Sequence, residues 1–222
     1  MSLLAATPYP IILLGMCLGT IGVRPTLLAW ATVMLGALSG LGAAVVIVVT
    51  GQPHSWGLSM VAALPFVIVA LTTIKDLTYP LINDVSTDVD APPRFEAALH
   101  AAANAGRDMA FPKRFAPIVR DKYPELRPLI LREPKREVLE RVASLMAEMP
   151  NWTATFRDDS RGLVEGEVRT PFLGFVDDVV VRVADDGGST RVDMRSKSRE
   201  GLVDGGANGK RVQGFLARLA DA

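Results

Sequence analysis

The chain reads as an all-α membrane anchor of three transmembrane helices followed by a water-facing α+β domain. That domain is expected to be a four-stranded antiparallel sheet packed on helices and curled around the C-terminal helix. Three observations lead there. Residues 1–74 carry one charged side chain, Arg24, while the other 148 residues hold 23 basic and 24 acidic ones. Beyond Asn151 the apolar residues recur every second position, as in half-buried strands. From Val212 they recur at helical spacing instead. The boundary falls near residue 76, giving an anchor over 1–76 and a domain over 77–222.

The anchor divides into helices at about 6–23, 27–50 and 57–75, each near the roughly 20 residues that a span requires. Pro8 and Pro10 sit in the first turns, where a missing N–H costs least, and Pro65 bends the third helix. Tyr9 and Trp56 fall at one interface, Trp30 and Tyr79 at the other. Gly15 and Gly19, then Gly36 and Gly40 with Ser39 and Ala43, form small-residue pairs that let helices one and two pack closely. No Lys or Arg precedes the first apolar run, so the basic start of a cleaved signal is missing. Met16 is too large for the position before a lipidated cysteine. Cys17 is therefore read as a small apolar filler, and a single cysteine excludes an intramolecular disulfide. Arg24 and Lys75 share the domain's side of the membrane, and the positive-inside bias would make that side cytoplasmic.

In the domain, Pro92-Pro93 opens an Ala-rich helix from Arg94 to about Arg107, and Pro112, Pro117, Pro124 and Pro128 break up the stretch after it. Pro134 starts a second helix with Val138, Val142, Leu145, Met146 and Met149 on one face. Four strands come next. Trp152, Ala154 and Phe156 alternate with polar residues, as do Val164, Gly166 and Val168, and Val192, Met194 and Ser196, while Val179, Val181 and Val183 alternate with Asp178, Val180 and Arg182. Asp185-Asp186-Gly187-Gly188 suits a hairpin. The last helix begins after Asp204, which caps it, and buries Val212, Phe215, Leu216 and Leu219.

The balance of charge gives no electrostatic case for nucleic acid or for strong attraction to anionic lipid. Gly209-Lys210-Arg211 fails as a phosphate loop, because the first glycine position holds Asp204 and the closing hydroxyl position holds Arg211. What remains is a glycine-rich helix start that would hold an anion, weighed against a helix cap, which explains the same residues without a ligand. Arg169, Arg182, Arg195, Glu165, Glu167 and Asp193 share a sheet face and are read as a lattice of exposed ion pairs, each contributing about 0–1 kcal/mol. The carboxylates between Asn83 and Asp90 lack calcium-loop spacing, and Asx turns explain them better. Asp177 and Asp178 point to opposite faces, so they form no dyad. His54 lies in a membrane loop, which leaves the domain His100 alone as a histidine base.

One set of motifs occurs in a recognisable order. It runs from Tyr79-Pro80-Leu81-Ile82-Asn83-Asp84-Val85-Ser86-Thr87-Asp88 through Pro92-Pro93, Tyr123-Pro124 and Arg169-Thr170 to Gly174-Phe175-Val176-Asp177-Asp178-Val179. Asp193-Met194-Arg195-Ser196-Lys197-Ser198-Arg199, Gly201, Asp204 to Asn208 and Arg211 complete it. Over residues 79–220 the chain resembles the uncharacterised domain-of-unknown-function family 1499. The resemblance carries no catalytic role. It implies an envelope protein of the bacterial inner membrane with a periplasmic domain, against the cytoplasmic side that Arg24 and Lys75 favour.

Two functions stand as expectations. The first is a non-catalytic binding domain for a partner protein or an anionic ligand such as a lipid headgroup, with contacts at Arg195, Ser196, Ser198, Arg199, Asp204, Asn208 and Arg211 and with no cofactor. The alternative is a membrane-bound hydrolase using Asp84, Asp88, Asp177 or Asp204 beside Ser and Arg, with or without a divalent cation. A third, structural reading makes the motif residues determinants of the fold.

Overall fold

A computed structural model describes residues 3–21, 26–51, 55–76 and 78–221. Arg24, His54 and the Lys75 side chain, on which membrane orientation and a histidine base were weighed, lie outside the described residues. The chain divides into two compact units. One runs to Thr78 and includes Thr170–Phe175; the other comprises Tyr79–Arg169 and Val176 onward.

The first unit contains three helical stretches long and apolar enough to cross a membrane. Helices α1 (Leu3–Ala6) and α2 (Pro8–Thr20) make the first, α3 (Thr26–Val49) the second, and α4 (Ser55–Asp76), which contains Pro65, the third. Small residues set the packing. A Cβ on Gly15 would stand 2.8 Å from Val33 Cγ2, and one on Gly36 would stand 2.6 Å from Ile12 Cγ1. The same construction at Gly40 strikes the Ala62 carbonyl oxygen, so α3 is approached closely by both neighbours. Tyr9 donates to the Val61 carbonyl at 2.7 Å. Cys17 is exposed on the helix surface.

The second unit is a six-stranded antiparallel sheet with helices on one face. The strands are β1 (Asp84–Ser86), β2 (Leu129–Leu131), β3 (Trp152–Asp158), β4 (Leu163–Arg169), β5 (Val176–Asp186) and β6 (Ser189–Ser198). Their order is β1-β6-β5-β4-β3, and β2 also pairs with β6. The sheet therefore exceeds the four strands read from the sequence, and it is not curled around the last helix. The two additional strands have three residues each, too short to show a period. They line the outer edge of β6, β1 against Arg195–Lys197 and β2 against Thr190–Val192, and so satisfy an otherwise open strand.

Helices α7 (Lys135–Glu148) and α8 (Ala207–Asp221) bury Val138, Val142, Met146, Val212, Phe215 and Leu219 against Val164, Val179, Val181, Val183, Val192 and Met194. Phe215 stacks on Trp152, with ring centroids 5.5 Å apart. In β3 the strict alternation fails. A register shift between Ala154 and Phe156 sets Phe156 opposite Glu165 and Arg157 opposite Val164. That one-residue bulge turns Phe156 to the face away from the helices.

The expected helix over Arg94–Arg107 is broken into a four-residue turn, α5 (Ala97–His100), and a 3-10 turn over Ala102–Asn104. Its alanines supply propensity but no apolar stripe. Ala101 is extended, and Asn104 Nδ2 caps the Ala98 carbonyl at 2.9 Å. After it come a second 3-10 turn (Lys113–Phe115) and the seven-residue α6 (Ala116–Lys122). The stretch from Val89 to Phe111 is thereby an irregular strap. It puts Phe95, Ala98 and Met109 on Val180, over the sheet face opposite the helices.

Candidate functional site

The strap changes the meaning of the charged sheet face. That face was expected to be solvated, but Asp84, Glu165 and Asp193 are fully buried, and Asp178 and Arg195 are 1 % exposed. Arg195 makes a fork to Asp84, with Nε to Oδ1 at 2.9 Å and Nη2 to Oδ2 at 2.7 Å. Its other N–H groups reach the carbonyls of Pro93 and Met109, and the rings of Phe95 and Phe111 lie 4.7 and 5.6 Å away. Lys197 adds a 3.1 Å contact to the same carboxylate. Arg199 binds both oxygens of Asp178 and also Glu167, and Asn104 donates to Asp178 at 2.9 Å. Arg182 and Arg191 share Asp193 and Asp88. Exposed pairs contribute little, but Arg195–Asp84 and Arg199–Asp178 are buried on both sides, and a lone member of either would be costly, whereas Arg182 and Arg191 keep part of their guanidinium in water.

Glu165 closes the layer by accepting the backbone N–H groups of Glu96, Ala97 and Ala98. Burial raises its carboxyl above the usual range, outweighing the three N–H bonds that oppose the shift. The folded domain therefore holds this proton more tightly than the unfolded chain. The stability so gained is present below the ordinary carboxylate value of about 4.3 and is lost as pH rises through the elevated one. Lowering the pH from 7 toward 4 should widen the melting-temperature advantage of the native chain over Glu165→Gln. Asp204, also raised by burial, is common to both proteins and cancels. A difference independent of pH in thermal melts would contradict the assignment.

On the helix face the remaining motif residues form a second network. Arg211 reaches Asp177 Oδ2 at 2.5 Å, Ser196 Oγ at 2.9 Å and Asn208 Oδ1 at 2.6 Å. Ser196 donates to Asn208 Oδ1, while Asn208 Nδ2 reaches Ser198 Oγ and the Asn83 carbonyl. Asp204 accepts the N–H groups of Gly206 and Asn208, so the helix start is closed by its own cap. The seven residues singled out in the sequence are thus distributed over two faces. Arg195 and Arg199 lie under the strap, Ser196 and Ser198 on β6 meet Asn208 and Arg211 from the first turns of α8, and Asp204 caps that helix. All seven are engaged inside the domain.

The four carboxylates of the hydrolase reading are likewise not brought together. Asp84 serves Arg195, Asp177 serves Arg211, and Asp204 serves the helix start. Asp88 makes an Asx turn with the N–H groups of Asp90 and Ala91 while binding Arg182 and Arg191. Among the described residues no three His, Cys, Asp or Glu side chains converge as a metal cage.

Sequence reasoning missed an open cleft of about 420 Å³ between the Asp88 turn, α6 and the segment after it. Its walls are Val89, Val119, Leu126, Pro124 and Pro128, and its charged groups are Asp88, Asp90, Arg120, Arg127 and Arg191. Arg120 pairs with Asp90 at 2.5 Å and Arg191 with Asp88 at 2.9 Å. Arg127 spends Nε on the Pro124 carbonyl and meets no carboxylate among the described residues. The lining comes from three distant segments, so no local spacing could reveal it. Tyr123 also lines the cleft, and burial, with Asp204, Tyr79 and Glu125, pushes its phenol up to about 12. Gly209 makes room for that ring, since a Cβ there would stand 2.5 Å from Cε1.

A family model described as a protein of unknown function, DUF1499, matches residues 84–219. No curated protein matches the chain.

Proposed function

The chain belongs to the DUF1499 family of proteins of unknown function, and from that premise we propose a membrane-anchored, non-catalytic binding module of the bacterial envelope. Its domain faces the periplasm, and the module receives an anionic group carried on an apolar body, as in a lipid headgroup. One observation carries the reading: the motif side chains are bonded to one another, whereas the cleft combines apolar walls with Arg127, whose guanidinium meets no carboxylate among the described residues. The volume lies within the roughly 300–1,000 Å³ of small-molecule sites. In this reading the motif network builds the scaffold that holds the cleft open.

The test uses the purified full-length chain titrated with dihexanoyl phosphatidate, and with inorganic phosphate to separate headgroup from free anion. Saturable binding is expected, weakened about 10-fold or more by Arg127→Glu, the order lost with one charge-assisted contact, while the melting temperature holds. Absence of saturable binding would remove the cleft from consideration. A C-terminal alkaline phosphatase fusion, active only outside the cytoplasm, reads the side; an inactive fusion at full expression would reverse it.

A further inference from the structure

We propose that the loop carrying Leu202 and Val203, together with Leu81, is a membrane-contacting edge that seats the domain on the lipid interface. The proposal rests on the anchor, not on the cleft. Leu81 is 72 %, Leu202 85 % and Val203 38 % exposed. They are neighbours in the domain: Asn83 donates its side-chain amide to the Gly201 carbonyl at 2.7 Å, and the Asp204 N–H reaches the Ile82 carbonyl at 3.2 Å. Beside them Lys210 Nζ stands 4.7 Å over the ring of Tyr79. Exposed aliphatics flanked by an aromatic and a lysine are the composition that suits the boundary between acyl chains and headgroups.

What identifies the occupant is the length of the chain. Helix α4 ends at Asp76, and its apolar window closes at Thr72. Five residue steps separate Asp76 from Leu81, a reach of at most ~18 Å. The polar interface on each side of a bilayer is itself about 5–8 Å deep. Leu81 is thus confined within a short distance of lipid, and Leu202 and Val203 are joined to it by the two hydrogen bonds above. Tethering also raises the local concentration of the apolar edge at the surface, so contacts too few to recruit a free domain become populated. The occupant is therefore the bilayer that already holds the chain. A partner protein would have to displace it.

The experiment places single cysteines in a Cys17→Ala background of the full-length chain, reconstituted in liposomes of phosphatidylethanolamine and phosphatidylglycerol. Each is labelled with an environment-sensitive fluorophore. Leu81→Cys and Leu202→Cys report the edge. Asp186→Cys reports the far tip of the β5–β6 hairpin, about 30 Å away by strand rise. Lipids bearing a shallow spin label should quench the two edge probes at least about twice as strongly as the hairpin probe. Equal quenching at all three sites, or edge probes protected only when other membrane proteins are added, would overturn the proposal. Flotation of the same liposomes reads the anchor separately: protein that floats with unquenched edge probes defeats the edge alone, and protein that does not float defeats the anchor.

Discussion

Replacing Arg195 by alanine should destabilise the domain by about 3–5 kcal/mol, the cost of removing one member of a buried ion pair. Asp84, fully buried, would keep Lys197 as its one cation among the described residues, and the carbonyls of Pro93 and Met109 would lose the Arg195 donor. Lysine should not rescue, because it offers neither the fork to both carboxylate oxygens nor a flat group between Phe95 and Phe111. The pair Arg195→Met with Asp84→Asn should lie closer to the native chain than Arg195→Ala does, since it removes the stranded charge along with its partner. Pulse proteolysis of the full-length chain in denaturant measures this on the domain itself. An unchanged midpoint for Arg195→Ala would show that the charge layer is not a determinant of the fold.

The second large effect is expected on the opposite face. Phe215 is fully buried on α8 and stacked on Trp152, so Phe215→Ala should cost about 3–5 kcal/mol through lost transfer energy and the cavity left behind. Phe215→Leu should cost less, because it keeps much of the volume while losing the ring pair. Unfolding midpoints from the same proteolysis assay order the three proteins. Alanine and leucine variants of equal stability would mean that the pocket around α8 collapses freely, contrary to its packing between β6, α7 and the short strands.

These two sites differ in how far the sequence exposes them. Phe215 belongs to a stripe with Val212, Leu216 and Leu219, and a helical period of apolar residues states by itself which face is buried. The same holds for β4, β5 and β6, where Val164 and Val168, Val179, Val181 and Val183, and Val192 and Met194 recur at every second or fourth position. The charged partners in that alternation were read as solvated because one side of an antiparallel sheet commonly is. Only the strap contradicts this. It has no period of its own: its helical turns are brief, and the groups that pin it come from elsewhere. Glu165 in β4 binds its N–H groups, and Arg195 in β6 binds its carbonyls. Strands β1 and β2 escaped for a related reason, since three residues cannot display an alternation.

The bulge in β3 shows the limit from another side. One unpaired residue near Thr155 moves Phe156 across the sheet, although the letters alternate without interruption. The cleft is less legible still, because Asp88, Arg127 and Arg191 meet only when separate segments converge.

Local composition and periodicity alone determined the separation of an apolar, nearly uncharged first third from a charged remainder, along with the two long helices and the four long strands of the domain. Hydrophobic transfer and periodicity act residue by residue and are written in the order of the chain. Tertiary structure alone decided which charges leave water. That outcome depends on an aperiodic segment lying over the sheet, and an ion pair's value is set by what covers it rather than by its neighbours in sequence.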